Sequence, residues 1–192
     1  GARIVWASSE SCYGTVFAED DWLPDRLPID EETPAEPEDP YGLSKVVGEE
    51  VAAAAARRHG VPAVSLRLSW VTFPGDERRR EARETFDPAT AEPSGNCWSS
   101  VDVRDVVAAI EAAIAPETEI DGHEAVLIVA AENFLGRDTA ATIEAVRGEL
   151  PPDCDLDGDE SAFDCSKAKR LLGWEPEHSW RDDVETDGES EN

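Results

Sequence analysis

The sequence predicts an α/β fold built on a parallel sheet with helices on its faces. Two observations carry that prediction. Short apolar, β-branched runs recur at "RIVWASS" (Arg3 to Ser9), "PAVSLRLSWVTF" (Pro62 to Phe73) and "EAVLIVAAE" (Glu124 to Glu132), and read as strands buried on both faces. Helical stretches lie between and after them, and strands that alternate with helices are joined by crossovers that leave them parallel.

The elements follow in order. The first strand runs into "SSESCYG", a cluster of hydroxyl groups at its end. Residues 18–39 read as an acidic loop punctuated by Pro24, Pro28, Pro34 and Pro37. A helix then starts with clear punctuation. Asp39 suits the N-cap, Pro40 the first helical position, and Gly60 the stop, with Arg57, Arg58 and His59 in the last turn.

After the second strand, residues 78–97 read as polar and irregular, with "ERRREARE" at the start. In "SSVDVRDVVAAIEAAIA", Asp102 is placed to cap a helix and Asp105 to support it from the first turn. After the third strand, Asp138 or Thr139 can cap a helix running to about Leu150. A short helix around "SKAKRLLGW" and an acidic, disordered tail over 181–192 close the chain.

With 192 residues and 40% apolar content, the chain can bury one sizeable core. Its charge is extreme: 44 acidic against 17 basic residues, net −27. Such a surface repels a phosphate backbone, which excludes nucleic acid as a partner. Acids occur in every segment, the pattern of a salt-adapted (halophilic) protein whose self-repulsion mobile ions screen. An acidic interaction surface is the alternative.

Cys12, Cys97, Cys154 and Cys165 are scattered without a C-x-x-C pair, and no signal-peptide pattern opens the chain. They read as reduced thiols of a cytoplasmic protein, not as a disulfide or zinc framework. No apolar run reaches the ~18 residues of a membrane span.

The most informative spacing is Tyr41 and Lys45 in "YGLSK". Positions i and i+4 share a helix face, so an ammonium lies beside a phenol and favours its phenolate form, which suits acid/base work. Alone the pair is weak; its neighbourhood strengthens it.

"RIVWASSESCYG", "PYGLSKVVGEE", "VSLRLSWVTFPG", "SSVDVRDVVAAI" and "AKRLLGWEP", in that order, resemble the extended short-chain dehydrogenase/reductase family, the NAD-dependent epimerase/dehydratases. The resemblance implies the C-terminal part of a Rossmann-like, doubly wound parallel sheet plus a small substrate-binding subdomain. Residues 1–77 and 98–132 would form the catalytic half of the nucleotide-binding fold, and 78–97 and 133–180 the substrate-binding segments.

Carried onto this sequence, the resemblance implies Tyr41 as the acid/base and Lys45 as its partner and a ligand of the nicotinamide ribose. Ser9 would hold the substrate oxygen. Ser8, Trp70 and Val71 would line the site of NAD or NADP, and Ser11 and Arg79 would touch substrate. Ser11 reads more readily as a turn serine, and Arg78, Arg79 and Arg80 either as an anion hook or as balance for an acidic surface.

The implied activity is NAD(P)-dependent oxidation or epimerisation of a sugar or nucleotide-sugar. Trp70-Val71 stands where many members place Asn-Pro, a departure that tilts the expectation toward a dehydrogenase of a smaller sugar. The resemblance also implies a homodimer through the helix carrying Tyr41 and Lys45, which other members use to dimerise; "VAAAAA" would permit close approach, but an alanine-rich helix packed on its own sheet looks the same. No Gly-rich G-x-x-G-x-x-G turn occurs in the sequence. The expectation is therefore that a first half of on the order of a hundred residues lies upstream of Gly1. This chain alone would then be inactive, and a non-catalytic remnant or binding module is the alternative reading.

One competing motif is "DCDLDGDESAFD" (Asp153 to Asp164), close to a calcium-binding EF-hand loop. Asp164 at position twelve, Glu160 at position eight and Pro151-Pro152 before the loop argue against it, and no metal site is expected.

Overall fold

The structure is a computed structural model that describes residues 2–20 and 22–182. Three parallel strands, β1 (Ile4–Ser9), β3 (Ala63–Leu68) and β6 (His123–Ile128), form the central sheet in the order β1-β3-β6. Two short parallel pairs flank it: β2 (Arg26–Leu27) with β7 (Asp153–Cys154), and β4 (Val71–Thr72) with β5 (Val101–Asp102).

Helix α1 (Pro40–His59) connects β1 to β3. Asp39 accepts from the backbone N–H groups of Tyr41 and Gly42, and Gly60, at φ 60°, turns the chain out of the helix. Helix α3 (Val103–Ile114) precedes β6, capped by Asp102. Helix α4 (Thr139–Arg147), capped by Asp138 and stopped by Gly148, and helix α5 (Ser166–Leu172) follow.

Strand alternation sends neighbouring side chains to opposite faces. Val64 and Leu66 of β3 and Val126 and Ile128 of β6 pack on Val106, Ala109 and Ala113 of α3 and on Ala168 and Leu172 of α5. Ser65 and Arg67 point the other way, toward α1. There the fit is close because the contacts are small: Ala52 and Ala56 lie against Ala63 and Ile4. At Gly48 a Cβ would come within 2.3 Å of the Trp6 indole, so glycine is what lets α1 lie on β1. Helices thus cover both faces, as expected for a doubly wound sheet.

A second core lies under the loops, where Tyr13, Leu27, Ile29, Leu127, Phe134, Ile143 and Phe163 are all buried. Fully burying each Leu, Ile or Phe contributes on the order of 2 kcal/mol. Among the described residues no helix is long and apolar enough to cross a membrane, and no disulfide joins the cysteines.

Several expectations need correction. The stretch read as irregular contains a helix, α2 (Glu77–Thr85). Its sequence has no apolar period, and it starts because the Asp76 carboxylate accepts from the N–H of Arg78. The acidic loop of 18–39 contains β2. The second strand breaks at Ser69-Trp70 into β3 and β4. In β1, expected to be buried on both faces, Trp6 is 37% exposed. β1 has a neighbour on one side only among the described residues, which leaves its middle open.

Asp105 stands in the first turn of α3, as expected, and its hydrogen bonds run to the C-terminal segment. Its carboxylate accepts from the N–H groups of Glu177 and His178 and pairs with the His178 ring at 2.7 Å, tying the C-terminal segment to the helix. The expected acidic tail lies, beyond residue 182, outside the described residues.

Candidate active site

The C-terminal ends of parallel strands are where an open α/β sheet leaves a crevice. Here β1 and β3 end at Ser9 and Leu68, and the start of α1 rises beside them. A cleft of about 430 Å³ opens there, lined by Ser8, Ser9, Ser11, Tyr41, Lys45, Trp70 and Val71 together with Glu10, Ser69 and Asn96. Seven of the eight residues singled out in the sequence thus meet in one place. Arg79 is not among those lining it.

The helix geometry gathers the central pair. Tyr41 and Lys45 are one turn apart, and the Lys45 ammonium lies 5.1 Å from the centre of the Tyr41 ring. Lys45 Nζ also donates to the carbonyl of Ala7 at 3.0 Å and lies 5.6 Å from the Trp6 ring centre, so the ammonium is anchored to the strand. An ammonium has three donors, and one carbonyl occupies one of them. The Tyr41 ring is 49% exposed and meets Phe17 edge-on, with centroids 6.0 Å apart.

The serine cluster is ordered by the 3-10 turn Glu10–Tyr13 that follows β1. Ser9 caps this turn: its Oγ accepts from the N–H of Ser11 at 3.2 Å and donates to Ser11 Oγ at 3.1 Å. Ser11 is therefore a turn serine whose hydroxyl stands beside that of Ser9. Ser8 points to the opposite side. Its hydroxyl donates to Glu49 Oε1 at 2.5 Å, beneath α1.

Glu49 belongs to a buried charged network that the sequence reading did not find. Arg67 donates from Nε and Nη2 to the two Glu49 oxygens at 3.0 and 2.8 Å, and from Nη1 to the Tyr13 hydroxyl at 3.0 Å. Burial works against the charged guanidinium, and the bonds to Glu49 outweigh it and hold Arg67 protonated. Because Glu49 is one turn past Lys45, this network fixes the helix that carries Tyr41 and Lys45.

The three arginines of "RRR" diverge. Arg78 pairs with Asp76 at 2.6 Å and lies over the Trp70 ring, its guanidinium carbon 4.9 Å from the centroid. Arg79 is buried and donates to the carbonyl of Phe73, while Arg80 reaches Glu77 at 3.5 Å. Successive residues of a helix point about 100° apart, so three in a row cannot share one anion.

Three acids of the calcium-like loop are turned onto protein groups. Asp159 pairs with Arg181, Glu160 accepts from the N–H of Asp157, and Asp164 accepts from Ser166. Among the described residues no group of three or more side chains could hold a metal ion.

Three polar lining residues were missed: Glu10, Ser69 and Asn96. Glu10 carried a readable signal, an acid set between serines at the end of an apolar strand. Asn96 reaches the cleft only through the tertiary fold.

Residues 1–128 match the model of the NAD dependent epimerase/dehydratase family. The chain belongs to that family. A UDP-glucose 4-epimerase of Lactobacillus helveticus is 25% identical over 209 residues, covering 94% of this chain and 61% of the relative. A solved UDP-galactose 4-epimerase shares 27% identity with a TM-score of 0.58, over 95% of this chain and 60% of that one. A short-chain dehydrogenase/reductase superfamily protein from Agrobacterium tumefaciens, solved with bound NAD, shares 25% identity with a TM-score of 0.60, over 96% and 65%. The chain thus spans about three fifths of its epimerase/dehydratase relatives. The Rossmann-like α/β fold expected from the sequence stands.

Proposed function

We propose that the full-length protein is an NAD(P)-dependent oxidoreductase or epimerase acting at a secondary alcohol of a sugar or nucleotide-sugar, with Tyr41 as acid/base. The observation that carries this reading is the convergence of Tyr41, Lys45 and the Ser9 hydroxyl on one cleft at the end of a parallel sheet.

The residues present fit the nicotinamide end of the cofactor. Leu68, Trp70 and Val71 offer apolar wall to a flat ring, and Lys45 keeps donors for ribose hydroxyls. When bound, a nicotinamide cofactor supplies the hydride acceptor. The chain's own groups do the rest. Ser9, relieved of its bond to Ser11, donates to the substrate oxygen and fixes it near Tyr41. The Tyr41 oxygen takes the hydroxyl proton as the carbinol carbon loses hydride and the carbon–oxygen double bond forms. Lys45, anchored to the carbonyl of Ala7, stays beside the Tyr41 ring throughout. Return of the hydride to the opposite face of the carbonyl carbon, with the proton returned to its oxygen, would give the epimer; release of the ketone would give a dehydrogenase.

In this reading 78–97 and 133–180 supply the substrate side, and Asn96 is already at the cleft. The names of the relatives favour a nucleotide-sugar. The test is incubation of the full-length protein with NAD⁺ or NADP⁺ and UDP-glucose, UDP-glucuronate or free glucuronate in high salt. Net formation of reduced cofactor supports a dehydrogenase and epimer without it an epimerase; neither product from any sugar contradicts the proposal.

Leu43, Val47 and Val51 form an exposed apolar row along α1, which supports homodimerisation through this helix. Leu43→Glu combined with Val51→Glu should then halve the mass measured by light scattering; an unchanged mass contradicts the dimer.

A further inference from the structure

One wall of the cleft is not used by the chemistry above. Glu10 follows Ser9, lines the cleft and is 4% exposed. Its Oε1 accepts a long hydrogen bond from Asn96 Nδ2 at 3.4 Å. Its Oε2 is buried and makes no hydrogen bond of good geometry, and neither does Ser69 Oγ, on a residue 5% exposed that lines the same cleft, although the two side chains stand close enough to interact. A buried polar group without a well-formed hydrogen bond is costly, so two facing one cleft point to a ligand.

The carboxyl is also in an unusual state. Burial pushes it up to about 8, against smaller opposing pulls from the Ser69 and Asn96 side chains and the Trp70 backbone. At neutral pH it is an uncharged acid with a proton to donate. Cys12, the titratable neighbour that senses it, is a thiol pushed up to about 12 and stays neutral too.

The surroundings hold this wall in place. Asn96 accepts from Ser94 Oγ at 2.7 Å and donates to the carbonyl of Ser99 at 3.0 Å. The next residues, Cys97 and Trp98, sit at φ 49° and 57°, a region non-glycine residues seldom adopt and one that clusters at ligand sites.

We propose that Glu10 and Ser69 form a hydroxyl-recognition subsite, in which the Glu10 acid group donates to a sugar hydroxyl adjacent to the reacting carbinol and Ser69 Oγ donates to or accepts from that same hydroxyl. This rests on the reading of the cleft as a sugar site. A hydroxyl is both donor and acceptor, which matches a neutral acid paired with a serine. Glu10 on this account selects and positions substrate and transfers no proton.

The test is a cycle between enzyme and substrate, using the full-length protein, its Glu10→Ala and Glu10→Gln variants, UDP-glucose, and UDP-glucose analogues each lacking one ring hydroxyl. The wild type should discriminate against one deoxy analogue by about tenfold or more in kcat/KM, a hydrogen bond's worth or greater. Glu10→Ala should lose that discrimination and raise KM for UDP-glucose by a similar factor with kcat little changed. Glu10→Gln, which keeps a donor, should restore most of it.

Equal discrimination in wild type and Glu10→Ala would overturn the subsite and leave the two oxygens to an ordered water. A Glu10→Gln variant that binds UDP-glucose but loses kcat would also overturn it, because Glu10 would then be moving a proton. Binding of the same sugars, followed by saturation-transfer NMR, reads the subsite without turnover. Absent turnover in the wild type would therefore defeat the oxidoreductase reading while the binding cycle still decides the subsite.

Discussion

Replacing Glu10 by glutamine should stabilise the fold at neutral and alkaline pH and do little at acid pH. The carboxyl is raised from 4.5 to about 8 because it is buried. Below pH 4.5 the folded and unfolded chains both hold the proton. As pH rises through the window from 4.5 to 8, the unfolded chain ionises and the folded chain does not, so the unfolded state binds fewer protons and stability falls with pH. Each pH unit across that window lowers stability by about 1.4 kcal/mol. The fall amounts to roughly 3 kcal/mol between pH 5 and pH 8 and levels off above the folded value. Glutamine cannot titrate, and the repulsion among the other acids is common to both proteins. The difference in unfolding free energy between variant and wild type, from urea titrations at constant KCl, should therefore widen by about that amount between pH 5 and pH 8. A difference that stays flat across that range would refute burial of an uncompensated carboxyl.

Two further predictions concern stability. Arg67→Met strands the Glu49 carboxylate beneath α1 and should cost about 3–5 kcal/mol, while Arg67→Met with Glu49→Leu should recover most of it, both read by chemical unfolding; equal losses would show that the network does not couple the two residues. With a net charge of −27, unfolding should require more denaturant as KCl is raised from about 0.1 M, where the Debye length is about 10 Å, to about 1 M, where it is about 3 Å. A midpoint independent of KCl contradicts salt adaptation.

The framework was legible where local chemistry dictates it. Asp39-Pro40 and Gly60 mark α1 because capping and backbone freedom act within a few residues. Tyr41 and Lys45 could be paired from helix geometry alone, and Ser8, Ser9, Ser11, Trp70 and Val71 through the family resemblance. What stayed hidden depends on tertiary placement. Glu49 and Arg67 are 18 positions apart and polar, so no periodicity marks them as a buried pair. Helix α2 escaped because "ERRREARET" has no apolar stripe, and its start rests on one side-chain cap. Glu10 and Asn96 are 86 positions apart and come together only when the segment after α2 folds back over the end of β1. For Arg78, Arg79 and Arg80 the sequence allows either an anion hook or balance for an acidic surface, and the burial of Arg79 depends on tertiary packing that no local pattern marks.

The central claim is that Tyr41 moves the proton, and the most direct test is the rate of nicotinamide reduction in a single turnover of the full-length protein with its best sugar substrate. Tyr41→Phe keeps the ring, and its stacking on Phe17 and Lys45, but removes the hydroxyl. The account predicts a fall of about 100-fold or more with little change in sugar binding. A rate equal to the wild type would contradict it.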